Sequence, residues 1–244
     1  MIHLFRKIRY KLSKENRFLT YSRYAIGEIV LVVIGILIAL QINTWNEERK
    51  EGLEEKRILN NLHDEFKENL ANLKYKDSVL KTTILSLETI FDELRSPVKQ
   101  FEGKAIDSLL SRALNSPTWI PSEYVLNGLE SSGNLTKLRN ERLKKLLFEW
   151  ARFYSELDET QKMIETSNSQ LIAYVKENGS LRNVDVENSA FNYERSLLVE
   201  HNEHLMEDPL FENYVDDKLY VLITARSQFE EAENRIISIL RETL

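Results

Sequence analysis

Apolar residues fall along this chain in two patterns. From Ala25 to Ile42 the sequence reads AIGEIVLVVIGILIALQI, a run broken only by Glu28 and Gln41. At about 1.5 Å per residue this makes a helix of roughly 27 Å, enough to cross a bilayer core of about 30 Å. Further on, the apolar residues thin into a repeat of three and four. Leu59, Leu62, Phe66, Leu70, Leu73, Leu80, Ile84, Leu87, Phe91 and Leu94 keep that spacing, interrupted at Asp77. Leu143, Leu147, Trp150, Tyr154, Leu157, Gln161, Ile164, Asn168, Leu171 and Val175 form a second seam, and Val215, Leu219, Leu222, Phe229, Ile236 and Leu240 a third face. Seams of this period belong to helices packed at shallow angles, as in bundles and coiled coils.

Glycine and proline mark the same divisions. Residues 53–96, 134–178 and 210–244 contain neither, whereas Pro97, Gly103, Pro117, Pro121, Gly128 and Gly133 crowd one zone and Gly179 and Pro209 bracket another. The pattern predicts three long helices separated by two breaker zones. Short helices fit Ala105–Leu114 and Ser122–Leu129, with Ser122 as an N-cap. Ser131-Ser132-Gly133-Asn134 reads as a turn, and Ser189–Met206 suits a short fourth helix closing the bundle. The fold expected is all-α: a single N-terminal transmembrane helix followed by an extramembrane bundle of long antiparallel helices with short connecting helices.

Charge orients the span. Residues 1–23 carry Arg6, Lys7, Arg9, Lys11, Lys14, Arg17 and Arg23 against one acid, Glu15. Basic residues resist translocation, so the N-terminus is expected in the cytoplasm, with Tyr21, Tyr24 and Trp45 as interfacial anchors. A cleaved signal peptide shares the basic-then-apolar order, but Leu40-Gln41-Ile42-Asn43-Thr44-Trp45 offers no small-residue cleavage site. The expected organisation is a basic cytoplasmic tail over 1–23, the span over 24–45 and a periplasmic helical-bundle domain over 46–244. The tail also suits anionic lipid head groups, beside its role in fixing topology.

The net charge of -6 divides unevenly, leaving -11 on residues 46–244. An acidic outer domain argues against nucleic-acid binding. The chain has no cysteine, which excludes disulfides, thiolate nucleophiles and cysteine metal sites. Asn134-Leu135-Thr136 and Asn178-Gly179-Ser180 match a glycosylation acceptor pattern that carries no meaning in a bacterium.

Tyr24–Lys50, YAIGEIVLVVIGILIALQINTWNEERK, resembles the N-terminal signature of an uncharacterised family of membrane proteins common in Bacteroidota, a domain of unknown function. Tyr124–Leu143, containing LESSGNLTKLRNERL, is similar to an internal stretch of that family. The resemblance implies a bacterial inner-membrane anchor and a helical envelope domain. It brings no catalytic residue, ligand or partner to any position of this chain.

Several residues stand out as candidates. Glu28 is an intramembrane acid, either functional or snorkelling to the near interface. Gly35 and Ala39, with Gly27 at the margin, make a small-residue face that lets helix backbones approach. His201 and His204, at i and i+3, are the only closely spaced histidines and a weak metal pair; a solvated polar helix face explains them better. Trp119 and Ile120 in NSPTWIP form either a protein-contact loop or a cap on the bundle end. Gln161 and Asn168 sit on the second seam, where buried amides line a polar pocket or fix helix register. Phosphate loops, dinucleotide fingerprints and nucleophile elbows are absent from the sequence.

These observations favour a single-pass inner-membrane protein that acts by binding, as scaffold, adaptor or accessory subunit of an envelope complex. Its partners would be the lipid bilayer and either a homo-oligomer or another envelope protein. No cofactor and no enzymatic activity are expected. The alternative is a membrane-anchored periplasmic ligand sensor signalling through a partner, because 23 inner residues are too few for a signalling domain. A metal-dependent enzyme built on His201 and His204 is the third reading.

Overall fold

The computed structural model describes residues 18–188 and 190–244, with side chains from Ser22 onward. The basic residues of the tail from Arg6 to Arg17, the side chain of Tyr21, and Ser189 lie outside the described residues. Backbone contacts divide the chain into two compact units, Met1–Arg57 and Ile58–Leu244.

Helix α1, Phe18–Arg95, contributes to both units. In the first unit its apolar stretch is uncovered: Ile29, Leu31, Leu37 and Ile42 are exposed, and none of the apolar window is buried by the chain. Among the described residues it is the one helix long and apolar enough to cross a membrane.

The second unit is a helical bundle. After α1 come α2 (Lys104–Ala113), α3 (Tyr124–Ser131), a 3-10 turn at Asn134–Lys137, α4 (Glu141–Asn178), α5 (Leu181–Asp185), a 3-10 turn at Glu203–Glu207, and α6 (Pro209–Glu242). No strand occurs among the described residues. Local chemistry sets the ends. Asn140 caps α4 by accepting from Leu143 N at 3.0 Å, and Asp208 caps α6 by accepting from Leu210 N at 2.8 Å, with Pro209 in the first turn. Gly133, at φ 71°, supplies the left-handed residue just after α3.

Side-chain pairs fix the helix directions. His63 meets Thr243 at 3.0 Å and Lys74 meets Glu233 at 3.2 Å, so α6 runs antiparallel to α1. Arg235 lies over the Phe153 ring and Tyr174 packs against Phe211, so α6 is antiparallel to α4 as well. Helices α1 and α4 therefore run the same way, and the chain must travel back along the bundle between them. Residues 104–138 make that return. Asp107 sits beside Asn202 at the far end, Trp119 packs in the middle, and Ser122 meets Glu65 and Asn69 nearer to where α1 enters. The bundle thus has four arms, alternating in direction, the second of them broken.

This differs from the expectation that Ser189–Met206 supplies a fourth helix. The described part of that segment is irregular up to the 3-10 turn at Glu203–Glu207. Its backbone groups are held by the side chains of Asn183 and Asp107 instead of a helical ladder. The role of fourth arm falls to residues 104–138, which Pro117 and Pro121 keep from being one continuous helix.

The core is apolar and aromatic at its centre. Trp150 meets Phe66 edge-on at 5.4 Å between centroids, and Trp119 meets Trp150 at 6.1 Å and Phe229 at 6.3 Å. One ring from each arm enters this cluster, which locks the register of all four.

Candidate functional site

The broken arm sets a physical problem. Residues 115–123 are neither helix nor strand, yet they pass through a packed bundle, and backbone polar groups there need partners. The three long helices supply them. Gln161 on α4 accepts from Trp119 N. Asn69 on α1 accepts from Ser122 N at 2.7 Å and donates to Ser122 O at 2.8 Å. Lys218 on α6 donates to Ala113 O at 2.5 Å, to Asn115 O at 3.0 Å and to Asn168 Oδ1 on α4. All four of these side chains are buried.

Glu65 of α1 does for α3 what Ser122 was expected to do. The residue before α3 is Glu123, which makes no side-chain cap. The buried Glu65 carboxylate accepts from Val125 N at 3.0 Å, from Leu126 N at 3.3 Å and from Ser122 Oγ at 2.8 Å. A carboxylate at a helix N-terminus is favoured by both the unpaired N–H groups and the helix dipole. Nearby, burial raises the Glu123 carboxyl above its ordinary range, with Glu130 and Glu65 adding repulsion.

Lys218 is the least expected member. Its amine is wholly buried and its hydrogen-bond partners are neutral oxygens, so burial lowers its pKa from 10.5 to about 7. The sequence carries a signal for it: Lys218 falls on the α6 seam, three residues after Val215 and four before Leu222.

A second polar cluster closes the far end. Asp107 of α2, fully buried, accepts from Asn202 Nδ2 at 2.6 Å and from Asn202 N at 3.3 Å, and pairs with Arg195. Arg195 also reaches Glu187 at 2.5 Å. Asn202 turns its other hydrogen bonds to Ser180 N and O, at 2.7 and 3.1 Å. Asn183 donates to Val199 O and Glu200 O and accepts from Ser196 N. At the start of α6, a hydrogen bond from the Tyr174 hydroxyl holds the Asp208 carboxyl below its usual range. Asp107, Asn183 and Asn202 carry no periodic signal toward this role.

The residues singled out in the sequence are dispersed. His201 Nδ1 lies 3.6 Å from Asp107 Oδ2, while His204 Nε2 lies 2.5 Å from Asn178 O. The two histidines thus face different neighbours, and no cluster of three or more His, Cys, Asp or Glu able to hold a metal occurs among the described residues. Trp119 is fully buried in the aromatic cluster, so its ring offers nothing to a partner protein; Ile120 beside it is exposed. Gln161 and Asn168 are buried and hold the broken arm, directly and through Lys218. On the candidate span, Glu28, Gly27, Gly35 and Ala39 are all exposed, and a methyl group added at Gly27 or Gly35 would meet nothing within 4 Å.

What the bundle defines is an all-helical protein whose buried polar side chains fasten its own backbone, together with one candidate membrane helix. The chain belongs to DUF6090, a family of unknown function, whose model matches residues 28–191, more than half of the sequence. No curated protein and no solved structure gives a significant match.

Proposed function

We propose that this protein acts by binding, as a membrane-anchored scaffold or accessory subunit of a complex in the bacterial envelope. One observation carries this reading. Seven of the polar side chains that the bundle buries spend their hydrogen bonds on the chain itself: Glu65, Asn69, Gln161 and Lys218 on the broken arm, Asp107, Asn183 and Asn202 on the far end. Such groups hold a fixed shape, which is what a binding module presents to a partner. The exposed apolar helix supports an anchor, and the basic excess before Tyr24 supports a cytoplasmic N-terminus with the bundle outside the inner membrane. The open face at Gly35 and Ala39 supports association within the bilayer, with a second copy or another span.

Native electrophoresis of membranes solubilised in a mild detergent tests the proposal. The expected result is migration in a complex larger than the single chain. A strictly monomeric species with nothing co-migrating would overturn it.

A further inference from the structure

At the far end of the bundle, Leu197 and Leu198 stand in water, with relative exposures of 99% and 95%. Phe191 and Tyr193 lie on the same loop, exposed, with ring centroids 6.0 Å apart. Apolar side chains in a loop ordinarily fold back onto a neighbouring surface. These two leucines are kept from doing so by the backbone that carries them.

Both sides of the pair are clamped. Before it, Ser196 N is held by Asn183 Oδ1 at 2.8 Å, and Arg195 is pinned between Asp107 and Glu187. After it, Val199 O and Glu200 O take both hydrogen bonds of the Asn183 amide, and Asn202 is tied to Asp107. Across the pair, Ser196 Oγ accepts from Leu198 N at 3.1 Å and Val199 N at 3.3 Å, which shapes the tip. Asn183, Asn202 and Asp107 are each fully buried, so the clamp is rooted in the fold.

We infer that Leu197 and Leu198 form a pre-set knob that enters an apolar slot with a basic rim on a different protein. The inference rests on the binding role proposed above and locates its contact surface. Charge selects the partner. From Leu181 to Pro209 the chain has seven acidic and two basic side chains, and one of the two bases, Arg195, is consumed by Asp107 and Glu187. Exposed Glu194 and Glu200 flank the leucines. A second copy would bring the same acids against them, and an anionic bilayer would repel them; a rim of Lys or Arg is complementary. Holding the knob rigid removes the ordering cost that a flexible loop meets on binding.

The test uses the full-length chain in its own membrane, with a photo-crosslinking amino acid at position 198 and, as a control, at the exposed Leu85 of α1. The expected result is one discrete adduct from position 198 and not from 85. Mass spectrometry should place it on another protein, in a surface where aliphatic side chains adjoin Lys or Arg. Leu197→Ser should lower its yield at least tenfold, since Leu197 is exposed and its loss leaves the core intact. An adduct to a second copy or to lipid, or no adduct, overturns the knob. Native electrophoresis of Leu197→Ser with Leu198→Ser separates the two claims. Loss of the wild-type complex supports the knob; a complex that persists overturns the knob while the binding role stands. A wild-type chain that is itself monomeric removes the binding role.

Discussion

Lys218 of α6 and Asn168 of α4 are joined amine to amide inside the bundle, and the same amine holds the carbonyls of Ala113 and Asn115. One side chain therefore ties together two long helices and the break in the second arm. It does so as a buried amine whose acceptors carry no full charge.

That arrangement makes stability depend on pH in a definite direction. The unfolded lysine titrates at 10.5 and the folded one at about 7. Between these values the unfolded chain binds the proton that the folded chain has released, so stability from this group rises with pH, by at most about 1.4 kcal/mol per unit. Below pH 7 both states are protonated and the contribution is flat. Denaturant unfolding followed by circular dichroism at pH 6 to 9 should show this rise in the wild type. Lys218→Met, which cannot titrate, should lose it.

Glu65 should matter more than its place on a helix face suggests. Glu65→Ala leaves Val125 N, Leu126 N and Ser122 Oγ without their acceptor inside the bundle, at a cost of about 2–3 kcal/mol. Glu65→Gln keeps the volume and one acceptor oxygen, so about 1 kcal/mol is expected. Urea midpoints of the two variants, compared at equal slope, check the order Ala worse than Gln. Equal midpoints for both variants and the wild type would show that α3 starts without help from α1.

The candidate span offers a cleaner test, because none of the described residues buries it. Gly35→Ile with Ala39→Ile adds bulk where a methyl group at Gly35 meets nothing within 4 Å, so the helix itself tolerates it. Hydropathy does not fall, and only close approach of a second helix is blocked. Crosslinking of the span to itself or a partner should drop at least several-fold. Leu31→Ile and Leu37→Ile keep the small residues and should behave as wild type.

Topology can be read directly. With seven bases before Tyr24, a reporter fused after Leu244 should be active only outside the cytoplasm. Activity of a reporter that works only inside the cell would reverse the orientation.

The long helices were legible because their seams are local: Leu143, Leu147 and Trp150 announce α4 within two turns. The candidate span was legible from composition alone. The broken arm was not, because Trp119, Leu126, Leu129, Leu135 and Leu138 share no period, and their backbone partners lie far away in sequence. Gln161 and Asn168 were visible as polar breaks in a seam, but a seam does not say what an amide will bind. Lys218 sits on the α6 seam and was hidden by its type, since a lysine is normally assigned to the wet face. The far-end clamp escaped for a different reason. Asn183 and Asn202 act through backbone carbonyls and amides, which a sequence does not mark.

The return of residues 104–138 along the bundle also dictates an order of assembly. Val125 waits on a residue 60 positions earlier, which is already made, whereas Ala113 waits on Lys218, 105 positions later. A chain emerging from the ribosome can dock the start of α3 against α1 early, but the other end of the arm stays unlatched until α6 arrives. Such long-range closure slows folding and leaves Trp119 and its aromatic neighbours wet in the interval. The nascent bundle thus has a vulnerable period whose length is set by the distance from Ala113 to Lys218, and a chain truncated before α6 would expose a surface that proteases and chaperones recognise.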